Sequence, residues 1–549
     1  MEDHKWTGDS VGWEGIVTVD GVAYEYMGVT AKDLSFLPSL ESAVPQNVTY
    51  DSQYSNFTFT AGPVEITASF FSPVVPKDLC RTSIPLSYLT TSVRSTDGSE
   101  HRVGFYSDIS SAWIDAHWDW EISWDLFKGA VPANKSSNAS AVPDDVYSWI
   151  YQRQHQTVFG EQKEFPLWGN ASYSSSPMGA ASFTFQSGLA TSVRVGYVNE
   201  SRLTNDIETA APNFGDATPV FAFAHDFGSV QNASVRYTVG TIQDPVVKYL
   251  YSGGIGKLTP WWRSCYGDLH QMIHFHWDDY NKAQELGGAF EAQLKDDVNT
   301  FYEGAENPVG TNGTTVRRAE HPAAGTDHYG QPYEYNPDNG YGYLDPDNST
   351  GIAIPFVSEA DSYYAIVTLS ARQVMGAYAY AVPPTSASTP YGGTTPSRDA
   401  ETAGGEPLAF QKEISSNGNT NTVDVLYPAS PFFLYANPAM LRALLAPLVE
   451  LQEGGFYPQG YCMHDVGAHF PNATGHVEGT DEYMPVEESG NFILMAYAYY
   501  KFSGDDAYLA AHYPLLRRFA QYLVDFSLVP ASQLSTDDFA GELSNQVTE

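Results

Sequence analysis

The sequence lacks any run of about eighteen or more apolar residues, the length that a helix needs to cross a bilayer. It is also poor in basic residues, because 27 Lys and Arg stand against 65 Asp and Glu and leave a net charge of −38. A negative field of this size repels nucleic-acid phosphates and anionic lipid. We therefore predict that neither nucleic acid nor a membrane is a partner of this protein.

Cysteine is scarce as well, since the chain contains only Cys80, Cys265 and Cys462. Three cysteines form one disulfide at most, which excludes a small scaffold held together by cystines. Whether one disulfide forms or all three residues are buried thiols stays open from the sequence. The hydrophobic content of 42% and the aromatic content of 14% instead provide enough apolar surface for large packed cores.

The N-terminal residues lack the basic and apolar regions of a signal peptide. Either the protein is cytosolic or this sequence begins downstream of its signal peptide. Sequons of the Asn-x-Ser/Thr type, which receive N-linked glycans only in the secretory pathway, favour the second interpretation. They occur at Asn47, Asn56, Asn134, Asn138, Asn170, Asn199, Asn232, Asn312, Asn348 and Asn472. We expect an extracellular protein with N-linked glycans, and truncation at either end stays open.

The first half of the chain consists of short β-rich runs separated by Ser, Asn, Gly and Pro. Asp20-Gly21, a dipeptide that takes the positive φ angles of a type I′ turn, joins two such runs into a predicted hairpin. Further β-rich runs cover 64–71, 86–93, 103–106, 181–185, 191–197, 220–224 and 235–242. Many short strands with turn signals between them predict an antiparallel β-sandwich.

Near Tyr249 the apolar spacing changes to three and four residues, the pattern of amphipathic helices. Helices are predicted over 279–302, 362–381, 438–452, 485–502 and 506–526. The fold class is therefore multidomain β + α. The predicted domains are an N-terminal β-sandwich domain (1–248), a central helical domain (249–453) and the start of a C-terminal helical region (454–549).

One segment, residues 457–491, concentrates the polar chemistry. It carries three His and six carboxylates with little aliphatic bulk, which is not how a core segment is built. It lies between two predicted helices, where a loop can deliver acids to a cleft while the helices hold them in place. The carboxylates from which a general acid and a general base can be drawn are Asp465, Glu478, Asp481, Glu482, Glu487 and Glu488.

The two adjacent acids of this segment also have a structural interpretation. Glu487 and Glu488 lie in the first turn of a helix predicted to begin at Pro485, where an acid gains about 0.3–1 kcal/mol from the helix dipole. One of the two is therefore expected to act only as a cap. Asn491 is spaced to share a helix face with either glutamate.

Cysteine and histidine chemistry is a less favoured alternative. Cys462 and His464 suggest an alternative mechanism with a thiol nucleophile. In known enzymes, however, the fold rather than sequence adjacency normally brings such a pair together. His270, His274 and His276 contain an i, i+4 pair suited to zinc, but no HExxH motif accompanies it and aromatic neighbours favour a packing role. We assign no metal ligand and predict no cofactor, while metal dependence stays open.

Motifs spread over nearly the whole chain resemble the glutaminase A family of filamentous-fungal type. They include WEGIVTVDGVAY from Trp13, HDVG from His464, MPVEESGN from Met484 and LSTDDFAG from Leu534. The resemblance implies a β-rich N-terminal domain followed by helices similar to the six-hairpin glycosidase toroid, which would be incomplete if the natural chain ended at residue 549. It also implies a secreted enzyme that hydrolyses L-glutamine to L-glutamate and ammonia.

Within this framework we hypothesise roles for individual residues. Asp465 or Glu482 would activate water against the side-chain amide, Glu488 would protonate the leaving ammonia, and Glu487 is a further catalytic candidate. The candidate substrate-binding residues are Lys412 or Arg372 for the α-carboxylate, Glu413 or Asp537 for the ammonium, and His464, His476 and Asn491 within the segment.

Two other functions stay open at the level of the sequence. A glycoside hydrolase of the six-hairpin type would use paired acids for catalysis and aromatic side chains for sugar stacking. A non-catalytic glycan- or cell-wall-binding protein would keep the fold without the chemistry. For either enzyme the expected partner is a small-molecule substrate, an amino-acid amide or a sugar.

Overall fold

The computed structural model describes residues 11–30, 39–114, 121–129, 146–162, 165–208, 218–302, 324–326, 332–334, 359–384, 406–414 and 417–528. Its strands are β1 (Trp13–Val19), β2 (Val22–Met27), β3 (Leu40–Ser42), β4 (Val44–Tyr50), β5 (Tyr54–Ala61), β6 (Val64–Phe71), β7 (Ser87–Ser95), β8 (His101–Ser110), β9 (Ile122–Gly129), β10 (Val146–Arg153), β11 (Glu161–Gln162), β12 (Phe165–Pro166), β13 (Asn170–Ser175), β14 (Ser182–Leu189), β15 (Pro219–Val230), β16 (Asn232–Ile242), β17 (Val247–Tyr251), β18 (Gly254–Leu258), β19 (Ala324–Thr326), β20 (Pro332–Glu334), β21 (Tyr378–Ala381), β22 (Leu408–Gln411) and β23 (Asn472–Ala473).

Helices dominate the later part of the chain. They are α1 (Leu79–Thr82), α2 (Ala190–Glu200), α3 (Trp262–Tyr266), α4 (Leu269–Asp278), α5 (Tyr280–Phe301), α6 (Glu359–Met375), α7 (Val423–Ala436), α8 (Pro438–Glu453), α9 (Pro485–Ser503) and α10 (Asp506–Phe526), and a 3-10 turn covers Ser111–Trp113. Among these described helices, none combines the length and the apolar character that crossing a membrane requires.

The N-terminal domain is the predicted β-sandwich. One sheet has the order β14-β15-β8-β1-β2-β3 and the other the order β4-β5-β6-β7-β16-β13-β10-β9. Side chains from both sheets meet in one core, where Trp149 and Tyr151 of the second sheet contact Phe221 of the first with ring centroids 5.7 and 4.2 Å apart. Neighbouring strands are antiparallel except for the parallel pair of β2 with β3.

The hairpin predicted at Asp20-Gly21 is confirmed, since both residues have positive φ angles of 51° and 90° and Val19 pairs with Val22. The strand predicted over 191–197 is wrong, because these residues lie in α2. The alternation of apolar residues there fits a strand, but Val193 and Tyr197 are also four residues apart and share the buried face of the helix.

The helical region is built around a second core formed by α7, α8, α9, α10 and the short strands near them. The sequence did not predict α7, because Pro428 and Pro431 lie inside it. Pro431 cannot donate to the carbonyl of Tyr427, and the Ser430 hydroxyl donates to that oxygen instead, at 2.7 Å. The helix predicted over 362–381 ends earlier, at Met375, and the chain continues into β21.

The β-sandwich packs directly against α4. Met272 and Ile273 of α4 share a buried cluster with Leu86, Ile150 and other sandwich residues. His276 of the same helix stacks on Tyr88 of β7 at a ring distance of 4.0 Å, and the Tyr88 hydroxyl donates to the His276 carbonyl at 2.6 Å. Burial lowers the pKa of His276 to about 3, which fits the predicted packing role for this histidine.

The same junction carries a disulfide between Cys80, in α1, and Cys265, in α3. Cys462 is a buried free thiol. The Arg81 guanidinium reinforces the junction with two hydrogen bonds to the Asp279 carboxylate, at 2.7 and 2.6 Å. The three cysteines therefore form the single disulfide that their number permits.

Replacement of both Cys80 and Cys265 by serine is expected to destabilise this junction. The two residues are 185 positions apart, and closing a loop of that length restricts the unfolded chain by about 5 kcal/mol in the chain-entropy account. Urea unfolding of the double variant should show a clearly lower free energy of unfolding than that of the oxidised wild type. Cys462→Ser is the control, because Cys462 forms no cross-link. Equal unfolding midpoints for the double variant and the wild type would contradict the prediction.

Contacts along the chain define two compact units, Met1–Gly288 with Ala371–Glu549, and Ala289–Ser370. In the second unit the described residues are the end of α5, the antiparallel pair β19 and β20, and the beginning of α6. Two stretches interrupt the helical part of the sequence, 306–351, rich in Asn, Gly, Pro and Tyr, and 383–407, rich in Ser, Thr, Pro and Gly, and both lie mostly outside the described residues. The domain boundaries at residues 248 and 453 stay predictions.

Candidate active site

The acid-rich segment runs from the end of α8 to the start of α9 and is fixed at both sides by backbone pairing. Thr420, which precedes α7, donates from its N–H to the Gly467 carbonyl at 2.9 Å and accepts from the Val466 N–H at 2.8 Å. The short strand β23 pairs in parallel with β17. These contacts bring the start of α7 against the segment.

Gly467 has no room for a side chain. A Cβ atom added there would lie 1.8 Å from the carbonyl oxygen of Asn472. Its N–H also donates to the Asp465 carboxylate at 2.7 Å, so the glycine is part of the support of this acid. The segment therefore folds around a close approach that requires glycine.

Gly467→Ala is expected to cost about 1–3 kcal/mol of stability, because the backbone at Asn472 must move to admit the methyl group. Gly490→Ala is the matched control. An added Cβ at Gly490 meets nothing within 4 Å, and alanine is favoured over glycine inside a helix by about 0.5–1 kcal/mol. Thermal unfolding of the two variants checks the contrast, and equal melting temperatures would contradict it.

His464 lies at the centre of the site and is only 4% exposed. Its backbone N–H donates to Asp481 at 2.8 Å, and its carbonyl accepts from the Val423 N–H at 2.9 Å. The ring atom Nδ1 lies 2.9 Å from Oδ2 of Asp465. The imidazole is thus held from both its backbone and its Nδ1 side, and Nε2 points towards the remaining acids.

Three carboxylates converge on Nε2 of His464. Glu482 Oε2 lies at 3.7 Å, Glu488 Oε1 at 3.9 Å and Asp424 Oδ1 at 4.0 Å, all beyond hydrogen-bonding distance. Burial acts to lower the pKa of His464, but the hydrogen bond to Asp465 and the surrounding negative charges outweigh it and raise the pKa to about 9. We refer to His464 with Asp424, Glu482 and Glu488 as the His464 cluster.

Asp465 lies between two imidazoles. Besides the contact with His464, its Oδ1 is 2.7 Å from Nε2 of His476, and it accepts from the Asn419 amide at 3.3 Å. Burial opposes ionisation of Asp465, yet the hydrogen bonds from both histidines hold its pKa below the ordinary value. A carboxylate with these partners is suited to orienting His464 and His476.

Glu488 is fully buried at 0% exposure. Neither of its carboxylate oxygens has a hydrogen-bond partner of acceptable geometry among the described residues. Burial first, and then the negative charges of Asp424, Glu487 and Asp465, raise its pKa well above the ordinary value. This position at the start of α9 is therefore more than a helix cap, because a cap carboxylate needs no such burial.

Glu487 and Glu482 lie on the more accessible side. The side chain of Glu482 is 33% exposed, against 18% for Asp424 and 1% for Glu488. Glu487 is partly buried, and burial followed by the charge of Asp424 raises its pKa to about 7. Asn491, one turn further along α9, lowers the pKa of both Glu487 and Glu488.

The other predicted substrate-binding residues are distributed unevenly. Lys412 lies at the end of β22, beside the stretch that pairs with the segment, and its Nζ is 2.8 Å from Glu161. Glu413 is buried and accepts from the Thr422 hydroxyl at 2.7 Å, two residues before Asp424. The remaining two are not brought to the cluster by any described contact. Arg372 donates to the Tyr54 carbonyl of β5 at 3.1 Å, and Asp537 lies outside the described residues.

Asp424 is the residue of the cluster that the sequence analysis missed. It lies in the first turn of α7, 40 residues before His464 in the sequence, and the pairing around Thr420 together with the hydrogen bond from Val423 brings it to His464. The thiol alternative loses support, because Cys462 is 1% exposed and burial raises the pKa of its thiol. A buried neutral thiol is a poor nucleophile.

Comparison with known proteins places this arrangement in a family. The model described as "Glutaminase A six helical-hairpin domain" matches residues 360–548, and "Domain of unknown function (DUF5127)" matches residues 54–297. "Glutaminase A" of Aspergillus oryzae is 33% identical over 549 residues, which cover 98% of this chain and 64% of that protein. The chain belongs to the glutaminase A family.

A second family member is "Probable glutaminase" of Arthroderma benhamiae, 28% identical over 617 aligned positions that cover 98% of this chain and 61% of that protein. The chain thus spans less than two thirds of the length of either relative. Among solved structures, "Putative kojibiose phosphorylase from human microbiome" aligns with 94% of this chain and 50% of its own, at 9% identity and a TM-score of 0.39. A likeness at that TM-score has no bearing on function.

Proposed function

We propose that this chain carries the site of a glutaminase-like hydrolase, which converts L-glutamine and water into L-glutamate and ammonia. The observation that carries the proposal is the convergence of Glu482, Glu488 and Asp424 on Nε2 of one buried histidine, His464. Glu487 lies close enough to this histidine and to Asp424 for their charges to act on its pKa, so acid and base groups are gathered at one place, as amide hydrolysis requires. The choice of an amide, L-glutamine, as the substrate is based on the names of the two family relatives.

The exposed and buried members of the site take different roles. A group that exchanges protons with substrate must reach it, which favours Glu482 and Glu487 over the fully buried Glu488. The role of proton donor, first given to Glu488, therefore moves to Glu487. The oxygens of Asp465 are hydrogen-bonded to His464 and His476, so we assign Asp465 the role of positioning these histidines and not that of the general base.

The reaction then proceeds with a simple proton balance. Glu482 takes a proton from water as the water oxygen bonds to the amide carbon. Glu487 gives a proton to the amide nitrogen as the carbon–nitrogen bond breaks, so that ammonia leaves. A proton passed from Glu482 to Glu487 restores the starting state.

Recognition of the amino-acid end of the substrate remains with the residues beside the cluster. Of the two cations considered, Lys412 lies next to the stretch that pairs with the acid-rich segment, whereas Arg372 binds the backbone of β5. We therefore keep Lys412 for the substrate α-carboxylate. Glu413 stays the proposal for its ammonium group.

The direct test is a substrate panel with the full chain. Ammonia release from L-glutamine and L-asparagine is measured beside sugar release from oligosaccharides and glycosides. We expect turnover of L-glutamine and no sugar release. Sugar release alone would establish the glycoside hydrolase alternative, and a folded protein without turnover on either class would favour a non-catalytic binding protein.

We also propose that the protein is secreted and N-glycosylated. Within the described residues, the sequon asparagines Asn47, Asn199 and Asn232 are exposed and accessible to glycosylation. Expression in a eukaryotic secretory host should give a protein whose mass falls after enzymatic removal of N-glycans. An unchanged mass would refute glycosylation.

A further inference from the structure

The His464 cluster contains a set of metal-ligand atoms. One oxygen of Asp424, one oxygen of Glu488 and one ring nitrogen of His464 all lie within 4.8 Å of one another. Imidazole nitrogen with carboxylate oxygen is a donor set that zinc and neighbouring divalent metals accept. The proposed proton transfers use Glu482 and Glu487, so they leave these three residues without an assigned chemical task.

The buried carboxylate of Glu488 provides an independent indication of a bound ligand. Its side chain is 1% exposed, neither of its oxygens accepts a hydrogen bond of acceptable geometry from the described residues, and Oε1 points at Nε2 of His464 from 3.9 Å. A buried carboxylate in such surroundings is either neutral or balanced by a cation, and a metal ion is such a cation.

The spacing of the donor atoms fits one ion. Two atoms bound to one ion at the usual Zn–N and Zn–O distances of about 2.0–2.2 Å lie no more than about 4.4 Å apart, and Nε2 of His464 is 3.9 Å from Glu488 Oε1 and 4.0 Å from Asp424 Oδ1. Hydrogen bonds would need shorter separations than these.

The surroundings of His464 match those of a metal-ligating histidine. Such residues almost always donate their second ring N–H to a carboxylate or carbonyl, which fixes the ring and leaves the other nitrogen for the metal. Here Asp465 accepts from Nδ1 at 2.9 Å and leaves Nε2 facing Asp424 and Glu488.

We propose that Asp424, His464 and Glu488 bind one divalent transition-metal ion of the zinc class. Three protein ligands leave a coordination position for water, as in catalytic zinc sites, and Glu482 lies beside it at 3.7 Å from Nε2. Where the site acts as the proposed hydrolase, the ion would make this water a stronger acid and ease its attack on the amide. Binding of the ion itself does not depend on which substrate is hydrolysed.

The test is calorimetric titration of the chelator-treated full chain with zinc chloride. Wild type should bind one zinc ion per chain, and Glu488→Gln and Asp424→Asn should each weaken binding by at least about 100-fold, since even loss of a supporting residue costs about 10–100-fold. Glu478→Gln is the matched control, because this exposed acid of the same segment is not among the groups around His464 and the variant should bind zinc like wild type. Circular dichroism establishes that each variant is folded.

The outcomes separate the metal site from the proposed function. A wild type that binds no zinc, or a folded Glu488→Gln and Asp424→Asn that bind as tightly as wild type, would overturn the metal site. Turnover of glutamine by the zinc-free protein would leave the hydrolase standing without the metal. Zinc binding without turnover of any amide would leave the metal site standing without the proposed function.

The supporting role of Asp465 has its own readout. Asp465→Asn should weaken zinc binding by about 10–100-fold while the stoichiometry stays at one ion, because the imidazole is less well oriented but remains a ligand. A purely structural role elsewhere would leave the affinity unchanged in the folded variant.

Discussion

Glu487→Gln is expected to lower kcat for ammonia release from L-glutamine by about 10²–10⁴-fold, the usual contribution of a general acid. Glutamine keeps the size of the side chain but cannot supply the proton that the leaving nitrogen needs. Steady-state kinetics of the folded variant measure the loss. Glu478→Gln is the matched control, since Glu478 belongs to the same segment, is exposed, and is not among the groups around His464.

A second substrate shows whether Glu487→Gln loses activity because the proton donor is missing or because the site as a whole is impaired. The γ-4-nitrophenyl ester of glutamate has a leaving group that departs without a proton, so Glu487→Gln should hydrolyse it much more nearly at the wild-type rate. Glu482→Gln should be slow on both substrates, because both need an activated water. Equal losses on amide and ester for Glu487→Gln would show that it is not the proton donor.

Arg194→Met is expected to cost about 3–5 kcal/mol of stability in the β-sandwich, the range for breaking a buried ion pair. Arg194 lies in α2, and its guanidinium donates to both oxygens of Asp108 at 2.9 Å and lies 3.2 Å from Glu14. Methionine fills much of the same space but leaves these buried acids without their cation. Urea unfolding followed by tryptophan fluorescence measures the change.

An exposed arginine gives the comparison for that variant. Arg94 pairs with Glu65 at 2.9 Å on the surface, where such a pair contributes about 0–1 kcal/mol. Arg94→Met should therefore unfold close to wild type. A loss for Arg194→Met no greater than that for Arg94→Met would contradict the account of the buried network.

The parts of the fold that local chemistry determines could be predicted from the sequence. The Asp20-Gly21 turn and the helix start at Pro485 depend on a few adjacent residues, and both are where the sequence indicates. Residues 191–197 fit two periodicities, and tertiary packing of Val193 and Tyr197 decides for the helix. The helix α7 could not be foreseen, because its prolines oppose helix formation and only packing compensates.

In the candidate site, too, some features could be predicted from the local sequence and others depend on tertiary packing. The composition of residues 457–491 was enough to locate the acids, since a chain segment so rich in carboxylates has to meet solvent, a cation or a substrate. The roles within it were not readable, because Asp465 and Glu488 differ from Glu482 in burial and partners rather than in residue type. Asp424 joins them through a pairing between distant parts of the chain.

The measurement that tests the central claim most directly is kcat/KM for L-glutamine in Asp424→Asn beside Asp506→Asn. Both acids lie in the first turn of a helix, α7 and α10, so both variants lose the same small stabilisation of about 0.3–1 kcal/mol. Because Asp424 is a ligand of the proposed metal ion and its charge helps to hold the pKa of Glu487 raised, we expect a loss of at least about 100-fold for Asp424→Asn and of less than about twofold for Asp506→Asn. A folded Asp424→Asn with the kcat/KM of wild type would contradict the assignment of the active site to this cluster.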